Sequence, residues 1–276
     1  MISEVAGTIR LVALDLDGTV VGDDLVILPR VKDAVREAMA RGVRVILVTG
    51  RMFRSALPFA RELGIKGPFI AYNGALVMDA EGTVHLSDPV PRPLVLEIVD
   101  LAAKEGVTLN LYVEDRLCVS ELNDDVAFYN TISQVEPRVV GDLRAFAESL
   151  APGQDVHKLL IVADPEKVAR LQPQIAQMYR GRLEVVMSRD RFIEMTGAGV
   201  SKGRTLARLC EKWGIRPEQV LAVGDHFNDV TMLRFAGVGA AMGNAPAQVQ
   251  AAADVVVGTV YEGGAAEAIE RFVLAG

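Results

Sequence analysis

The chain has 276 residues, of which 50% are hydrophobic and 24% charged, the composition of a globular protein with a sizeable core. Its formal net charge of −7 argues against a general nucleic-acid binder or a protein of anionic membrane surfaces, because both meet phosphates with basic surface. Cys118 and Cys210 lie far apart and form neither a zinc motif nor a disulfide framework. With no membrane span or leader-like segment in the sequence, we expect a cytoplasmic protein.

The first part of the chain alternates strand and helix signals. The predicted elements are, in order, a strand over 9–14, a helix over 29–41, a strand over 43–48, a helix over 53–63 and a strand over 68–72. Pro29 suits the first turn of the first helix, and Gly42 ends it. This βαβαβ order predicts parallel, adjacent strands with helices covering the sheet.

The pattern changes after Asn73-Gly74. A hairpin-like pair of segments, 75–78 and 83–86, leads into a proline-rich connection over 89–93. Further along, the signals predict a mixture of helices and paired strands: a helix from 94, two strands around 114–116, a helical stretch near 126, a helix over 143–150, a strand over 157–162, a helix over 165–179 and strands over 183–187 and 192–195. Paired strands between helices predict an α+β module, with an antiparallel or mixed sheet and helices on one side.

The alternating pattern returns after Gly197-Ala198-Gly199. Ser201 can cap a helix that runs to Trp213, and further elements follow: strands over 220–223, 238–242 and 255–257, and helices over 228–235, 246–252 and 265–274. We therefore predict an α/β fold with a Rossmann-like parallel sheet, split between residues 1–86 and 196–276. The α+β domain is inserted between them over 87–195.

The first motif is Asp15-Leu16-Asp17-Gly18-Thr19, at the end of the first apolar strand. Carboxylates two residues apart leave an extended strand on the same side, where they can share a divalent cation, and Gly18 permits a tight exit. The same letters also suit a calcium loop or a polar turn. The third ligand and the later glutamate that a calcium loop needs are absent from the sequence.

Two shorter motifs gain meaning only in combination. Thr49-Gly50-Arg51 follows the second strand, where a hydroxyl and backbone amides can bind phosphoryl oxygens, although Thr-Gly is common at strand ends. Lys202 stands at a predicted helix start, an unfavourable place for a cation unless an anion is near. An exposed lysine on a solvated turn is the simpler interpretation of Lys202 taken alone. The glycines around it fit neither a P-loop nor a dinucleotide fingerprint.

The fourth motif is Gly224-Asp225-His226-Phe227-Asn228-Asp229. Asp225 follows an apolar strand and is the third candidate metal ligand. Asp229 can be explained by helix capping alone, but Asp225 cannot. We interpret His226 as a residue that lines a pocket or faces solvent.

Together these segments resemble the four motifs of the haloacid-dehalogenase-like (HAD) hydrolase superfamily, in the same order. The insertion is similar to a type C2 cap, and the segments 70–75 and 241–245 are typical of the Cof-type subgroup, class IIB. The resemblance covers the whole chain, most weakly in the middle of the insertion.

The resemblance implies that Asp15 is a nucleophile that forms an aspartyl-phosphate, and that Asp17 is general acid and then general base. Mg²⁺ would be held by Asp15, the backbone carbonyl of Asp17 and Asp225. Thr49 and Lys202 would stabilise charge on the phosphoryl oxygens.

A second group of residues has supporting roles by the same resemblance. Asp229, with Asn228, would belong to the metal shell and orient Lys202. The substrate-binding residues would be Gly50, Arg51, Asn73 and Asn228.

The leading hypothesis is thus a Mg²⁺-dependent phosphatase of small phosphorylated metabolites, such as sugar phosphates or phosphorylated cofactors. We expect no nucleic-acid or membrane partner, and a monomer or homodimer. A phosphomutase of the same superfamily and a non-catalytic phosphometabolite-binding protein are the alternatives. A P-type pump would require membrane spans.

Overall fold

The computed structural model describes residues 9–275, and the contacts among them divide the chain into two compact units. The first contains the described residues up to Gly50, then Ala56–His85, then the described residues from Ser201. The second contains Arg51–Ser55 and Leu86–Val200. The domain limits given above, 1–86, 87–195 and 196–276, stay a prediction, and residues 1–8 and 276 lie outside the described part.

The elements are numbered along the chain. The strands are β1 (Leu11–Leu14), β2 (Arg44–Leu47), β3 (Phe69–Ala71), β4 (Leu76–Met78), β5 (Val84–Ser87), β6 (Thr108–Val113), β7 (Arg116–Val119), β8 (Arg138–Val139), β9 (Val156–Val162), β10 (Leu183–Arg189), β11 (Phe192–Gly197), β12 (Val220–Gly224), β13 (Val238–Ala241) and β14 (Val255–Val256). The α-helices are α1 (Pro29–Ala40), α2 (Phe53–Glu62), α3 (Arg92–Glu105), α4 (Asp124–Ser133), α5 (Leu143–Ser149), α6 (Pro165–Met178), α7 (Lys202–Trp213), α8 (Val230–Phe235), α9 (Ala247–Gln250) and α10 (Gly264–Ile269).

The first unit is built on a five-stranded parallel sheet with the order β14-β13-β12-β1-β2. Strand β1 lies between β12 and β2 and is wholly buried, which accounts for its uninterrupted apolar sequence. Leu14 pairs with Leu47 on one side and with Val223 on the other. The residues that follow these three strands therefore emerge at one edge of the sheet.

The third strand differs from the prediction. β3 pairs antiparallel with β4 and forms a separate three-stranded sheet with β4 and β5. A parallel bridge between Val48 and Ile70 joins this sheet to the main one. The physical reason lies just after β3. Tyr72 and Asn73 have positive φ angles of 52° and 57°, so the chain reverses and supplies β3 with a hairpin partner.

In the first unit, one helix follows its predicted capping signals, and two helices differ from the prediction at their ends. Ser201 caps α7 as predicted, its side chain accepting a hydrogen bond from the Arg204 backbone N–H, and the left-handed Gly214 ends the helix. The predicted helix over 228–235 instead begins with a 3₁₀ turn, Phe227–Asp229, before α8. The last helix, α10, continues as a π-helical turn over Glu270–Leu274.

The second unit contains a six-stranded mixed sheet with the order β10-β11-β9-β6-β7-β8, antiparallel except between β7 and β8. Helices α3, α5 and α6 cover one face and form a hydrophobic core with it. Helix α4 contacts the opposite face, where the Tyr112 hydroxyl hydrogen-bonds that of Tyr129, so the expectation of helices on one side was wrong for α4. The two-residue strand β8 is too short to leave a periodic signal.

None of the helices in the described part of the chain combines the length and the apolar character that a bilayer span needs.

Candidate active site

The predicted motifs of the first unit converge at the carboxyl edge of its parallel sheet. Asp15 follows β1 directly, and its backbone N–H donates to the Val223 carbonyl at 2.9 Å. Thr49 follows β2 by one intervening residue, and Asp225 follows β12. Residues far apart in sequence are thus brought together by strand register, at the edge where open α/β sheets bind their ligands.

Gly18 allows the first motif to turn against Asp225. Its φ is +80°, and a Cβ there would lie 2.1 Å from Oδ2 of Asp225, well inside van der Waals contact. Any side chain at this position would both strain the backbone and displace the Asp225 carboxylate. Gly18 therefore has two roles: it allows the tight turn after β1, and its lack of a side chain leaves room for the Asp225 carboxylate.

Lys202 is the first residue of α7 and is 1% exposed. Its Nζ lies 2.5 Å from Oδ1 of Asp15 and 2.5 Å from Oδ1 of Asp229. Gly203 lets α7 come close to α8, because a Cβ on it would lie 2.2 Å from the Thr231 carbonyl oxygen. The two carboxylates are the anions that the position of this lysine at a helix N-terminus requires.

Asp229 is fully buried and is held from both of its oxygens. Oδ1 accepts from Lys202, while Oδ2 accepts from the backbone N–H groups of Asp225 at 3.0 Å and His226 at 2.9 Å. Asp229 therefore links Lys202 to the loop that carries Asp225. These bonds occupy most of the acceptor capacity of its carboxylate.

The cluster carries an excess of negative charge. One carboxylate oxygen from each of Asp15, Asp225 and Asp229 lies within 4.8 Å of the other two, and Lys202 is the cation hydrogen-bonded to two of them. Burial, and then repulsion from Asp229, raises the pKa of Asp15 well above its usual value. The same two causes raise the pKa of Asp225 to about 7. Burial alone would lower the pKa of Lys202, but Asp15 and Asp229 raise it above normal.

The donor set fits a hard divalent cation. Such ions are bound by oxygen ligands, and carboxylates are the strongest of these in proteins. Oδ1 of Asp225 is buried and accepts no hydrogen bond from any described residue, so it has a lone pair to offer. Asp17 is not among the three convergent carboxylates.

A second group of predicted residues meets beside this cluster. Thr49 is 1% exposed, and its carbonyl accepts from the Asn73 N–H at 3.0 Å. Asn228 donates through Nδ2 to Oδ1 of Asn73 at 2.9 Å. A Cβ on Gly50 would lie 2.9 Å from that same Asn73 oxygen. The left-handed Asn73 thus joins the second motif to the fourth.

Arg51 is the one predicted site residue that the division into units places outside the first. It belongs to the second unit, where its guanidinium donates to Ser55 Oγ at 3.5 Å. His226 is partly exposed, and its ring stacks edge-on against Phe227.

Sequence reasoning gave no role to Asn244, although its segment contributed to the resemblance. In the structure its Nδ2 donates to the Gly18 carbonyl at 2.9 Å and to Asp225 Oδ2 at 3.3 Å. Thr19 was likewise given no role, yet its buried Oγ1 has no hydrogen-bond partner among the described residues. The only signal for either residue was its place inside a family-like motif.

The geometry agrees with comparisons to known proteins. A sequence profile of the haloacid dehalogenase-like hydrolases matches residues 12–269. The chain belongs to this family. Pyridoxal phosphate phosphatase YbhA of Escherichia coli is 30% identical to this HAD hydrolase over 256 residues, covering 91% of this chain and 94% of the relative. The 5-amino-6-(5-phospho-D-ribitylamino)uracil phosphatase YitU of Bacillus subtilis is 30% identical over 283 residues, covering 95% and 97%.

Solved structures agree on the fold. A haloacid dehalogenase-like hydrolase from Bacteroides thetaiotaomicron has a TM-score of 0.86 and 29% identity, covering 95% of this chain and 99% of its own. The subclass IIB sugar phosphatase BT4131, at 24% identity, shares the fold with a TM-score of 0.82, covering 95% and 98%. The resemblance to the HAD hydrolases and the HAD fold are confirmed, as is the enzyme class, a phosphoric monoester hydrolase.

Proposed function

We propose that this HAD hydrolase is a Mg²⁺-dependent phosphatase of small phosphorylated metabolites, and that it works through an aspartyl-phosphate on Asp15. The observation that carries the proposal is the position of Lys202, whose Nζ lies 2.5 Å from both Asp15 and Asp229 inside a cluster of three carboxylates. A buried lysine between two acids orients Asp15 and supplies positive charge for an anionic substrate.

The cation would be held by Asp15, the backbone carbonyl of Asp17 and Asp225, with Asp229 in its surroundings. Asp229 fits a positioning role better than direct ligation, because its oxygens already hold Lys202 and two backbone N–H groups. When bound, Mg²⁺ would offset the repulsion between the Asp15 carboxylate and a phosphate dianion.

The chain's own carboxylates perform the two displacements. In the first, an Asp15 oxygen attacks phosphorus, the bond between phosphorus and the ester oxygen breaks, and Asp17 donates its proton to the leaving alkoxide. In the second, Asp17 takes a proton from water, which attacks the same phosphorus, releasing orthophosphate and the Asp15 carboxylate. Dividing the reaction in this way replaces one difficult displacement by two easier ones. It also returns Asp17 to its protonated state.

Lys202 and Thr49 balance the charge of the transferred group. Lys202 donates to Asp15 Oδ1 and stands beside the attacking group, and Thr49 follows the neighbouring strand β2 after one intervening residue. We assign both to the equatorial phosphoryl oxygens, which carry the negative charge throughout transfer. Gly50 presents backbone without a side chain next to Asn73, as close approach of a phosphate would require.

The substrate class is a small phosphomonoester, a sugar phosphate or a phosphorylated cofactor. The name of the E. coli relative specifies pyridoxal phosphate, a phosphorylated cofactor, and that of the B. subtilis relative specifies a uracil derivative whose phosphate is on a ribityl chain. Both names support a small phosphomonoester as substrate. We assign substrate contacts to Asn73, Asn228 and Arg51. We still expect a cytoplasmic location and a monomeric or homodimeric state.

The proposal is tested by orthophosphate release from a panel of sugar phosphates and phosphorylated cofactors. We expect turnover with Mg²⁺, loss of turnover in EDTA and recovery when Mg²⁺ is added back. Asp15→Asn should abolish turnover, whereas Asp33→Asn, on the exposed side of α1, should not change it. A wild-type chain that released no phosphate across the panel would contradict the proposal, and so would an active Asp15→Asn variant.

A further inference from the structure

Asn244 connects two parts of the candidate active site that are far apart in sequence. One side-chain amide group, Nδ2, donates both to the carbonyl of Gly18, in the first motif, and to Oδ2 of Asp225, in the fourth. An asparagine Nδ2 has two hydrogens, so these two bonds use its full donor capacity. The residue itself is exposed at the surface, so burial in the core does not explain its inward contacts.

The direction of the Asn244 amide is fixed from its other end. Oδ1 accepts a hydrogen bond from the Val260 N–H at 2.8 Å, which requires an oxygen there and leaves the NH₂ group facing the acidic cluster. The backbone on either side is also held. The Met242 N–H donates to the Gly224 carbonyl at 3.0 Å, and the Gly243 N–H donates to the Gly258 carbonyl at 3.1 Å.

These bonds limit how far the Asp225 carboxylate can rotate. Oδ2 is held by Asn244 and lies against the Cα of Gly18, while Oδ1 is buried with no hydrogen-bond partner among the described residues. A carboxylate held through one oxygen presents the other in a defined direction. Groups that orient a ligand in this way commonly change metal affinity about 10- to 100-fold when they are removed.

We propose that Asn244 is a positioning residue that holds Asp225 with Oδ1 directed toward a divalent cation and fixes the Gly18 carbonyl beside it. This inference rests on the proposed function, because it assumes that the acidic cluster binds a cation. It adds a residue that contacts neither the reacting atoms nor the cation, and that acts through Asp225 and the turn after Asp17.

The alternative is that Asn244 merely holds its own loop together, and the chain offers a matched control for that role. Gln250 donates through Nε2 to the carbonyls of Gly243 at 3.2 Å and Ala245 at 2.9 Å, on either side of Asn244. Gln250→Ala removes two bonds from the same loop and none from Asp225. A loop effect would appear in both variants, and a positioning effect only at Asn244.

The test is isothermal titration of the metal-free full chain with Mn²⁺. We expect Asn244→Ala to weaken Mn²⁺ binding about 10- to 100-fold and Gln250→Ala to change it less than about twofold. Mn²⁺ affinity within about twofold of wild type in Asn244→Ala would overturn the inference, as would equal weakening in Gln250→Ala. A wild-type chain that bound Mn²⁺ without hydrolysing phosphate would contradict the proposed function alone. A wild-type chain that bound no Mn²⁺ would contradict both.

The Asn244→Asp variant tests the roles of Oδ1 and Nδ2 of Asn244 separately. The aspartate keeps an oxygen for the Val260 N–H but turns the donor that faces Gly18 and Asp225 into an acceptor. We expect turnover at saturating metal to fall at least about tenfold because the Gly18 carbonyl is repelled, with the unfolding midpoint retained. Wild-type turnover in Asn244→Asp would show that only the Val260 bond matters, and would overturn the inference.

Discussion

The ammonium group of Lys202 lies 2.5 Å from Oδ1 of Asp15, with both side chains nearly inaccessible to solvent. A buried pair of this kind is expensive to form, because both charges leave water, and breaking it costs more than it contributed. The pair is best explained by chemistry that needs both groups at one point. Lys202 orients Asp15 and also brings positive charge to the place where a phosphate dianion would bind.

Lys202→Met should lower turnover by at least about 100-fold, because the charge that faces the transferred phosphoryl group is lost. Lys212→Met is the matched control, since Lys212 is exposed near the other end of the same helix. Steady-state rates with saturating Mg²⁺, together with circular dichroism to confirm folding, measure both variants. Equal rates for the two folded variants would remove Lys202 from the mechanism.

Gly18→Ala should destroy the site by overlap with Asp225, and Gly42→Ala separates that overlap from backbone strain. The two glycines have φ angles of +80° and +83°, but a Cβ on Gly42 has no neighbour within 4 Å. Backbone strain should cost each variant about 1–2 kcal/mol of stability, since L-residues disfavour this conformation, and Gly18→Ala should lose more because of the overlap with Asp225. Only Gly18→Ala should also lose turnover and Mn²⁺ binding. Normal Mn²⁺ affinity in a folded Gly18→Ala variant would speak against the packing of Asp225 on Gly18.

Asp225→Asn should stabilise the metal-free protein at pH 8 but not at pH 4. Burial and Asp229 raise the pKa of Asp225 from 3.8 to about 7, so the folded state keeps a proton that the unfolded state releases between these values. Stability in the metal-free state therefore falls as pH rises through this range. Removing the carboxylate should recover up to about 4 kcal/mol at pH 8, because a pKa shift of about three units corresponds to about 1.4 kcal/mol per unit.

Urea unfolding at the two pH values in EDTA measures this effect. The exposed Asp33→Asn substitution provides the comparison, and it should change stability little at either pH. Addition of Mg²⁺ should stabilise the wild type more than Asp225→Asn, because the variant lacks a ligand. A gain in stability that was the same at pH 4 and pH 8 would show that charge at Asp225 is not its source.

The sequence was sufficient to predict the parts of the site that depend on chain order. Asp15, Thr49 and Asp225 each follow an apolar strand, and parallel pairing then brings strand ends to one edge. Taken alone, Lys202 favoured an exposed position, and its place at a helix N-terminus indicated an anionic neighbour only together with the other motifs. In the structure, Asp15 and Asp229 are its anionic neighbours. These features can be recognised from the sequence alone, without knowledge of tertiary contacts.

Other features depended on contacts that no local pattern encodes. The turn at Tyr72 and Asn73 pairs β3 with β4 rather than placing it in the main parallel sheet. A positive φ angle is rare at tyrosine, so the residue type does not predict it. The role proposed for Asn244 depends on three partners, Gly18, Asp225 and Val260, of which Gly18 is 226 positions away. Helix α4 contacts the second face of its sheet through Tyr129, a placement that periodicity leaves open.

The most direct test of the central claim is to trap the phosphoryl group on Asp15. The wild-type chain is mixed with a hydrolysed substrate and Mg²⁺, quenched in acid within one turnover and treated with borohydride, which reduces an aspartyl-phosphate to homoserine. Peptide mass spectrometry should then find homoserine at position 15 in the wild type and in no Asp15→Asn sample. An active wild-type enzyme with unmodified Asp15, or with homoserine at Asp17 or Asp225 instead, would contradict the account.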